Sequence, residues 1–206
     1  MILKKIRKTN GDFELVIVTK NQDINEIRKI YNSGELNFAE NKVQEIISKR
    51  TKLPKNIKWH MIGHLQTNKV KLIAPFIHMI QSVDSIKILK QINKYAEKNK
   101  RTINCLIQVK VSEDLNKYGF SVNDFYLFIK SNYKNDFPFV NIKGLMCISS
   151  FTSDKKQIRK EFKLLKKLSQ KIHENDPIVS MGMSNDYQIA LEEGSNMLRL
   201  GTIIFS

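Results

Sequence analysis

The chain has 206 residues, 41% of them hydrophobic and 27% charged, which fits one globular domain, and no apolar run reaches the length of a bilayer-spanning helix. Its formal charge of +15 raises nucleic acid as a partner. The lysines, however, lie along nearly every predicted helix opposite its apolar face, and no segment interleaves dense basic residues with aromatics, so a solvated basic surface is expected and specific nucleic-acid binding is not.

The N-terminal MILKKIRKTNGD is basic but lacks a following apolar segment with a small-residue cleavage site, so no secretory signal is read and the cytoplasm is the expected compartment. Residues 14–19, ELVIVT, form an unbroken apolar run, the pattern of a strand buried on both faces of a parallel sheet, and Lys20 closes it. Asp23 then caps a helix over 24–32, with Gly34 as its stop. The alternation repeats. A strand over 36–39 precedes a helix from about 42 to 50, a strand over 58–62 (KWHMI) precedes a helix starting near Thr67, and a strand over 76–81 precedes a helix over 85–99. Residues 103–111 predict a fifth strand, followed, after a loop holding Lys117 and Gly119, by a helix capped by Ser121. A sixth strand over 140–148 precedes a long amphipathic helix over 153–173. Short strands over 178–180 and 197–200 flank a helix over 186–193 that Gly194 stops. Cys105 and Cys147, far apart and inside apolar runs, are expected as buried, reduced thiols.

Strand-like runs alternating with helical ones through eight units predict a single-domain (β/α)8 barrel spanning residues 1–206. An open doubly wound sheet is the rival. No G-x-G-x-x-G follows the first strand, and so many units in so short a chain favour the barrel.

A barrel places its chemistry at the C-terminal strand ends. Those ends carry Lys20, Glu40 and Asn41, His60 to His64, Ser82 and Asp84, Met146, Met181 to Ser184, and Arg199 with Gly201 and Thr202. Ser184 sits where a helix should start, and Gly201–Thr202 joins a glycine, where backbone can approach closely, to a hydroxyl. Arg199 lies between them as a charge that never loses its proton. Taken singly, each reads more simply as an N-cap or a loop glycine; together they describe an anion cradle. Lys20 alone could merely reach water along its stem. Held at an apolar barrel mouth, its neutral amine can instead attack an aldehyde to form a Schiff base, and an aldehyde-reactive lysine facing a phosphate cradle describes pyridoxal 5′-phosphate. His60 and His64 share a zinc-like spacing, but an extended segment broken by Gly63 carries them and no third ligand is near, so no metal site is expected.

The segments LVIVTK, FAENKVQE, WHMIGHLQTNK, HMIQSVDS, KYGF, GLMCI and SMGMSNDYQIALEEGSNMLRLGTIIF, in this order, resemble the pyridoxal-phosphate homeostasis protein family, barrels related to the N-terminal domain of alanine racemase. The resemblance covers nearly the whole chain. It implies that Lys20 forms the Schiff base, that Ser184, Gly201 and Thr202 take the phosphate, and that Arg199 faces the pyridine nitrogen. It further implies Asn41 near the hydroxyl side of the ring, with Met181 or Met183, and Met146, shaping the pocket. The implied protein is a cytoplasmic monomer that holds pyridoxal 5′-phosphate and supplies it to apoenzymes without turnover. An amino-acid racemase or decarboxylase using the same cofactor is the alternative. Against it, an arginine keeps the ring nitrogen unprotonated and weakens the electron sink, and the chain ends at Ser206 without the second domain that racemases add.

Three departures from the family pattern are visible. Ala39 replaces a glycine and is expected to shift the turn beside Asn41. The N-terminal helix is shortened and the family's short tail after its final IFG is missing, from which weaker barrel closure is expected. Lys69 and Lys117 receive no assigned role.

Overall fold

The computed structural model describes Ile6 and residues 12–112, 118–172 and 175–206; Lys117, residue 173 and most of the N-terminal stretch fall outside that set. Parallel strands β1 (Glu14–Val18), β2 (Asn37–Glu40), β3 (Lys58–Met61), β4 (Met79–Val83), β5 (Ile103–Gln108), β6 (Val140–Met146), β7 (Ile178–Ser180) and β8 (Met197–Leu200) close into a barrel in sequence order. Between and after them run α1 (Ile24–Asn32), α2 (Val43–Arg50), α3 (Val70–Ile73), α4 (Ile86–Lys98), α5 (Val122–Lys130), α6 (Tyr133–Asp136), α7 (Lys155–Ser169), α8 (Tyr187–Glu192) and α9 (Thr202–Phe205). The open sheet is overturned at the seam, where β1 pairs with β8 from Glu14↔Met197 to Ile17↔Leu200. No helix among the described residues is long and apolar enough to cross a membrane.

Asp23 and Ser121 cap helices as predicted, and Ser85 and Asp154 cap two more. The side chains of Asp23, Ser85, Ser121 and Asp154 accept backbone N–H groups from the first turns of α1, α4, α5 and α7 and so satisfy donors that lack a helical partner. Two strand boundaries differ from expectation by three residues. β4 begins only at Met79, because Phe76 and Ile77 still donate to the Ile73 carbonyl at 3.0 and 2.8 Å and the Arg50 guanidinium lies 4.2 Å over the Phe76 ring. β5 ends at Gln108, because beyond it the chain turns to Phe120: Phe120 N–H donates to Gln108 O at 2.8 Å and Lys110 N–H to Phe120 O at 2.9 Å.

The strands sort their side chains with a period of two. Leu15, Ile17, Phe38, Trp59, Val179 and Leu198 face outward into the core between barrel and helices. Val16, Ala39, Met79, Leu106, Met146 and Met197 face inward and plug the lumen. Ala39 is fully buried in that plug and keeps register with Val18 and His60. Cys105 and Cys147 are buried and form no disulfide among the described residues, and burial pushes the Cys105 thiol up from its ordinary value.

Candidate functional site

Above the plug, at the C-terminal strand ends, lies a cavity of about 580 Å³, within the size range of small-ligand sites. The same inward parity that fills the lumen brings Lys20, Asn41, Ile62, Gln108, Ile148 and Arg199 to its wall. Ser184, Gly201 and Thr202 complete it from the loops after β7 and β8. Residues more than 180 positions apart in the chain, Lys20 and Thr202, thus share one cavity. Met181 does not join them. Ser180 points inward, so its neighbour Met181 points outward and is fully buried in the outer core; Met183, 37% exposed, lines the cavity instead. Met146 belongs to the plug beneath.

Lys20 stands in the turn after β1 and is exposed, so the fold alone does not strip its amine of water as a place at the end of an apolar strand suggests. Its base is held firmly from behind. Thr19 N–H donates to Ala39 O at 3.0 Å, the Lys49 ammonium donates to Thr19 O at 2.8 Å and to Glu40 Oε1 at 2.7 Å, and Thr19 Oγ1 donates to Glu40 Oε1 at 2.6 Å. Glu40 faces outward from β2, and this buried clamp between barrel and α2 fixes the strand end that carries Lys20. Beside it, the turn at Asn41 requires Gly63, since a Cβ there would lie 2.2 Å from Asn41 O.

Arg199 is 3% exposed and pairs with no carboxylate among the described residues. Its Nη1 donates to Ser180 Oγ and its Nη2 to Cys147 O, both at 2.7 Å. Burial pulls its pKa down from the ordinary arginine value, opposed by Cys147 and Asp186, yet a guanidinium remains cationic at neutral pH. A buried cation with N–H groups left over and a cavity beside it calls for an acceptor from a ligand.

The loops after β7 and β8 are tied together: Ile203 N–H, in the first turn of α9, donates to Ser184 Oγ at 3.3 Å. Helix α8 starts after Asp186 rather than at Ser184, because the Asp186 carboxylate accepts Met183 N–H and the Ser149 hydroxyl, each at 2.6 Å, and folds the intervening turn. Gly201 does permit a close approach, but to protein: a Cβ there would lie 2.9 Å from Val18 O at the β1–β8 seam.

One wall was not foreseen from sequence. The His64 ring stacks on Tyr118 with centroids 3.8 Å apart and planes 14° apart, and its Nδ1 lies 2.7 Å from Asp84 Oδ2. Gln108 Nε2 holds the Tyr118 carbonyl at 2.9 Å. His64 and Asp84 were both candidates as strand-end residues, but nothing in a linear pattern joins them to a tyrosine on a distant loop. Among the described residues no group of three or more His, Cys, Asp or Glu side chains could hold a metal ion. Lys69 lies in a short 3-10 turn, Thr67–Lys69, outside the cavity wall.

A primary amine, two hydroxyls beside backbone N–H groups, a buried cationic donor and a stacked aromatic wall fit a flat aromatic anion that carries a reactive carbonyl. Comparison with known proteins points the same way. The alanine racemase N-terminal domain family matches residues 3–206. The pyridoxal phosphate homeostasis protein of Helicobacter pylori is 37% identical over 194 residues, 93% of this chain and 86% of the relative. That of Aquifex aeolicus is 34% identical over 184 residues, 87% of this chain and 80% of the relative. The structure of PipY from Synechococcus elongatus with PLP bound superposes with a TM-score of 0.87 at 27% identity, covering 100% of this chain and 98% of that one. Alanine racemase of Clostridium difficile shares the fold, with a TM-score of 0.80 at 16% identity over 98% of this chain and 55% of that one.

Proposed function

This chain belongs to the pyridoxal phosphate homeostasis protein family, and on that premise we propose that it holds pyridoxal 5′-phosphate as a Schiff base on Lys20 and supplies it to apoenzymes without turnover of its own. The observation that carries the reading is Arg199, a buried cation with unspent donors at the wall of the cavity that Lys20 also lines. In this arrangement the Lys20 amine takes the aldehyde, Ser184 and Thr202 offer hydroxyls to the phosphate, and the turn at Gly201 brings α9 N–H groups beside them. Asn41 stands by the ring, and the His64–Tyr118 stack closes one side.

Bound cofactor would supply an electron sink, and most strongly when its ring nitrogen is protonated. Arg199 donates and does not give up its proton, so it leaves that nitrogen unprotonated and favours holding over racemisation or decarboxylation. The carrier works as a monomer in the cytoplasm, where apoenzymes are its partners.

Purified protein is expected to be yellow, and borohydride reduction should fix the cofactor to the peptide bearing Lys20, read by mass spectrometry. An adduct persisting unchanged on Lys20→Ala protein would sink the assignment. Chiral inversion or carbon dioxide release on incubation with amino acids would replace the carrier by an enzyme.

A further inference from the structure

Beneath Arg199 a chain of buried polar groups crosses the apolar plug. Arg199 Nη1 donates to Ser180 Oγ at 2.7 Å, Ser180 Oγ donates to Gln81 Oε1 at 2.7 Å, and Gln81 Nε2 faces His60 Nδ1 at 2.9 Å. His60 Nε2 then faces Asn37 Oδ1 at 3.2 Å. Ser180, Gln81 and His60 are fully buried; Ser180 comes from β7, and Gln81 and His60 from the adjacent strands β4 and β3 across the barrel. Such groups are expensive to desolvate and their arrangement has one consistent direction.

The direction follows from donor counting. Arg199 can only donate, so Ser180 Oγ must accept from it and turn its proton elsewhere, to Gln81 Oε1. Oxygen on that side puts the Gln81 amide nitrogen toward His60, whose Nδ1 must therefore be the acceptor. The proton of a neutral His60 then sits on Nε2, where Asn37 Oδ1 receives it. Burial, His78 and Lys58 push the His60 pKa down to about 3, so the ring stays neutral and Nδ1 stays an acceptor at ordinary pH.

We infer that Ser180, Gln81 and His60 are positioning residues: a directed hydrogen-bond chain that orients the Arg199 guanidinium before any ligand enters the cavity. If Gln81 turned over, its amide would donate to Ser180, and the serine proton would be left facing a cation. The chain thus leaves Arg199 one stable orientation, with Nη1 and Nη2 spent on Ser180 and Cys147 and the remaining N–H groups available to the cavity. Its consequence for cofactor binding rests on the proposed role of Arg199; the orientation itself does not.

The test is guanidinium 15N–1H NMR of the cofactor-free protein, with Arg199→Lys to assign the signals. Wild type should show resolved, slowly exchanging Arg199 N–H signals. Gln81→Met keeps volume but breaks the chain, and should speed their exchange by about 10-fold or more, with pyridoxal 5′-phosphate affinity falling by about 10-fold, as for loss of a hydrogen bond to a charged group. Gln81→Glu keeps an acceptor for Ser180 and should retain the restraint. A packing role predicts the opposite, since methionine would preserve it; unchanged Arg199 signals in Gln81→Met overturn the inference. If Gln81→Met does not fold, the wild-type His60 ring decides: 15N shifts placing its proton on Nδ1, or on both nitrogens at neutral pH, overturn the inference equally. Altered signals without altered affinity would uphold the chain and count against the ring role of Arg199.

Discussion

The guanidinium of Arg199 donates to the hydroxyl of Ser180 at 2.7 Å, so the buried cation at the cavity wall is bound to a neutral oxygen and not to a carboxylate. A carboxylate would have satisfied its charge and left little for a ligand. A neutral acceptor orients the group and leaves it without a contacting counter-ion among the described residues, which suits a binding site.

Arg199→Met should therefore separate stability from binding. Removing an unpaired buried charge leaves unliganded stability within about 1 kcal/mol of wild type or above it, while cofactor affinity falls by about 10-fold or more. Thermal melts with and without pyridoxal 5′-phosphate read both; a loss of several kcal/mol without ligand would make Arg199 a structural anchor.

Acid should destabilise the fold through His60. Its pKa is lowered from 6.5 to about 3 in the folded protein, so between those values the unfolded chain binds a proton that the folded one does not. Stability is then constant with respect to this group above pH 6.5 and falls as pH drops through the window, by up to about 1.4 kcal/mol per pH unit. His78, also lowered by burial and nearby positive charge, adds in the same direction. Urea midpoints stepped through the window should show this slope, and His60→Gln should reduce it.

Lys49→Met should cost about 3–5 kcal/mol by leaving the Glu40 charge buried and unpaired. Adding Glu40→Leu should recover most of that loss, because the pair is then replaced by apolar contact. Both variants release Thr19 O, so cofactor capture by Lys20 should slow even where stability returns; stopped-flow absorbance checks this. Full recovery of capture in the double variant would show that the clamp does not position Lys20.

Gly63→Ala should destabilise by about 3 kcal/mol, the upper range for overpacking, because the new methyl lies 2.2 Å from Asn41 O. The Asn41 turn must move, so cofactor binding weakens too. Gly34→Ala is the control: φ is +101° there but nothing lies within 4 Å, so it should cost about 1 kcal/mol of backbone strain and spare binding.

The barrel was legible because hydrophobic periodicity is local. Each apolar run of strand length, such as ELVIVT, and each capped amphipathic segment, such as that after Ser85, announces itself within a short window. Boundaries were less so where a distant residue decides them: Arg50 over Phe76 delays β4, and Phe120 diverts the end of β5. The set of strand-end candidates was legible too, and Lys20 and Arg199 from that set line one cavity. Met181 was misplaced because motif spacing ignores parity, and parity follows from Ser180 facing inward.

By itself the sequence determined the order of strands and helices, the polar character of their C-terminal ends and the family, since these depend on residue type and near neighbours. Only the tertiary structure decided which of those polar groups meet. Closure of β1 onto β8 brings Lys20 and Arg199 to one cavity, and a period of two turns Ser180, Gln81 and His60 toward one another through the lumen. The Ser180–Gln81 contact joins residues 99 positions apart, and the hydrogen-bond directions along the chain arise from donors and acceptors that must all be satisfied together once water has been excluded.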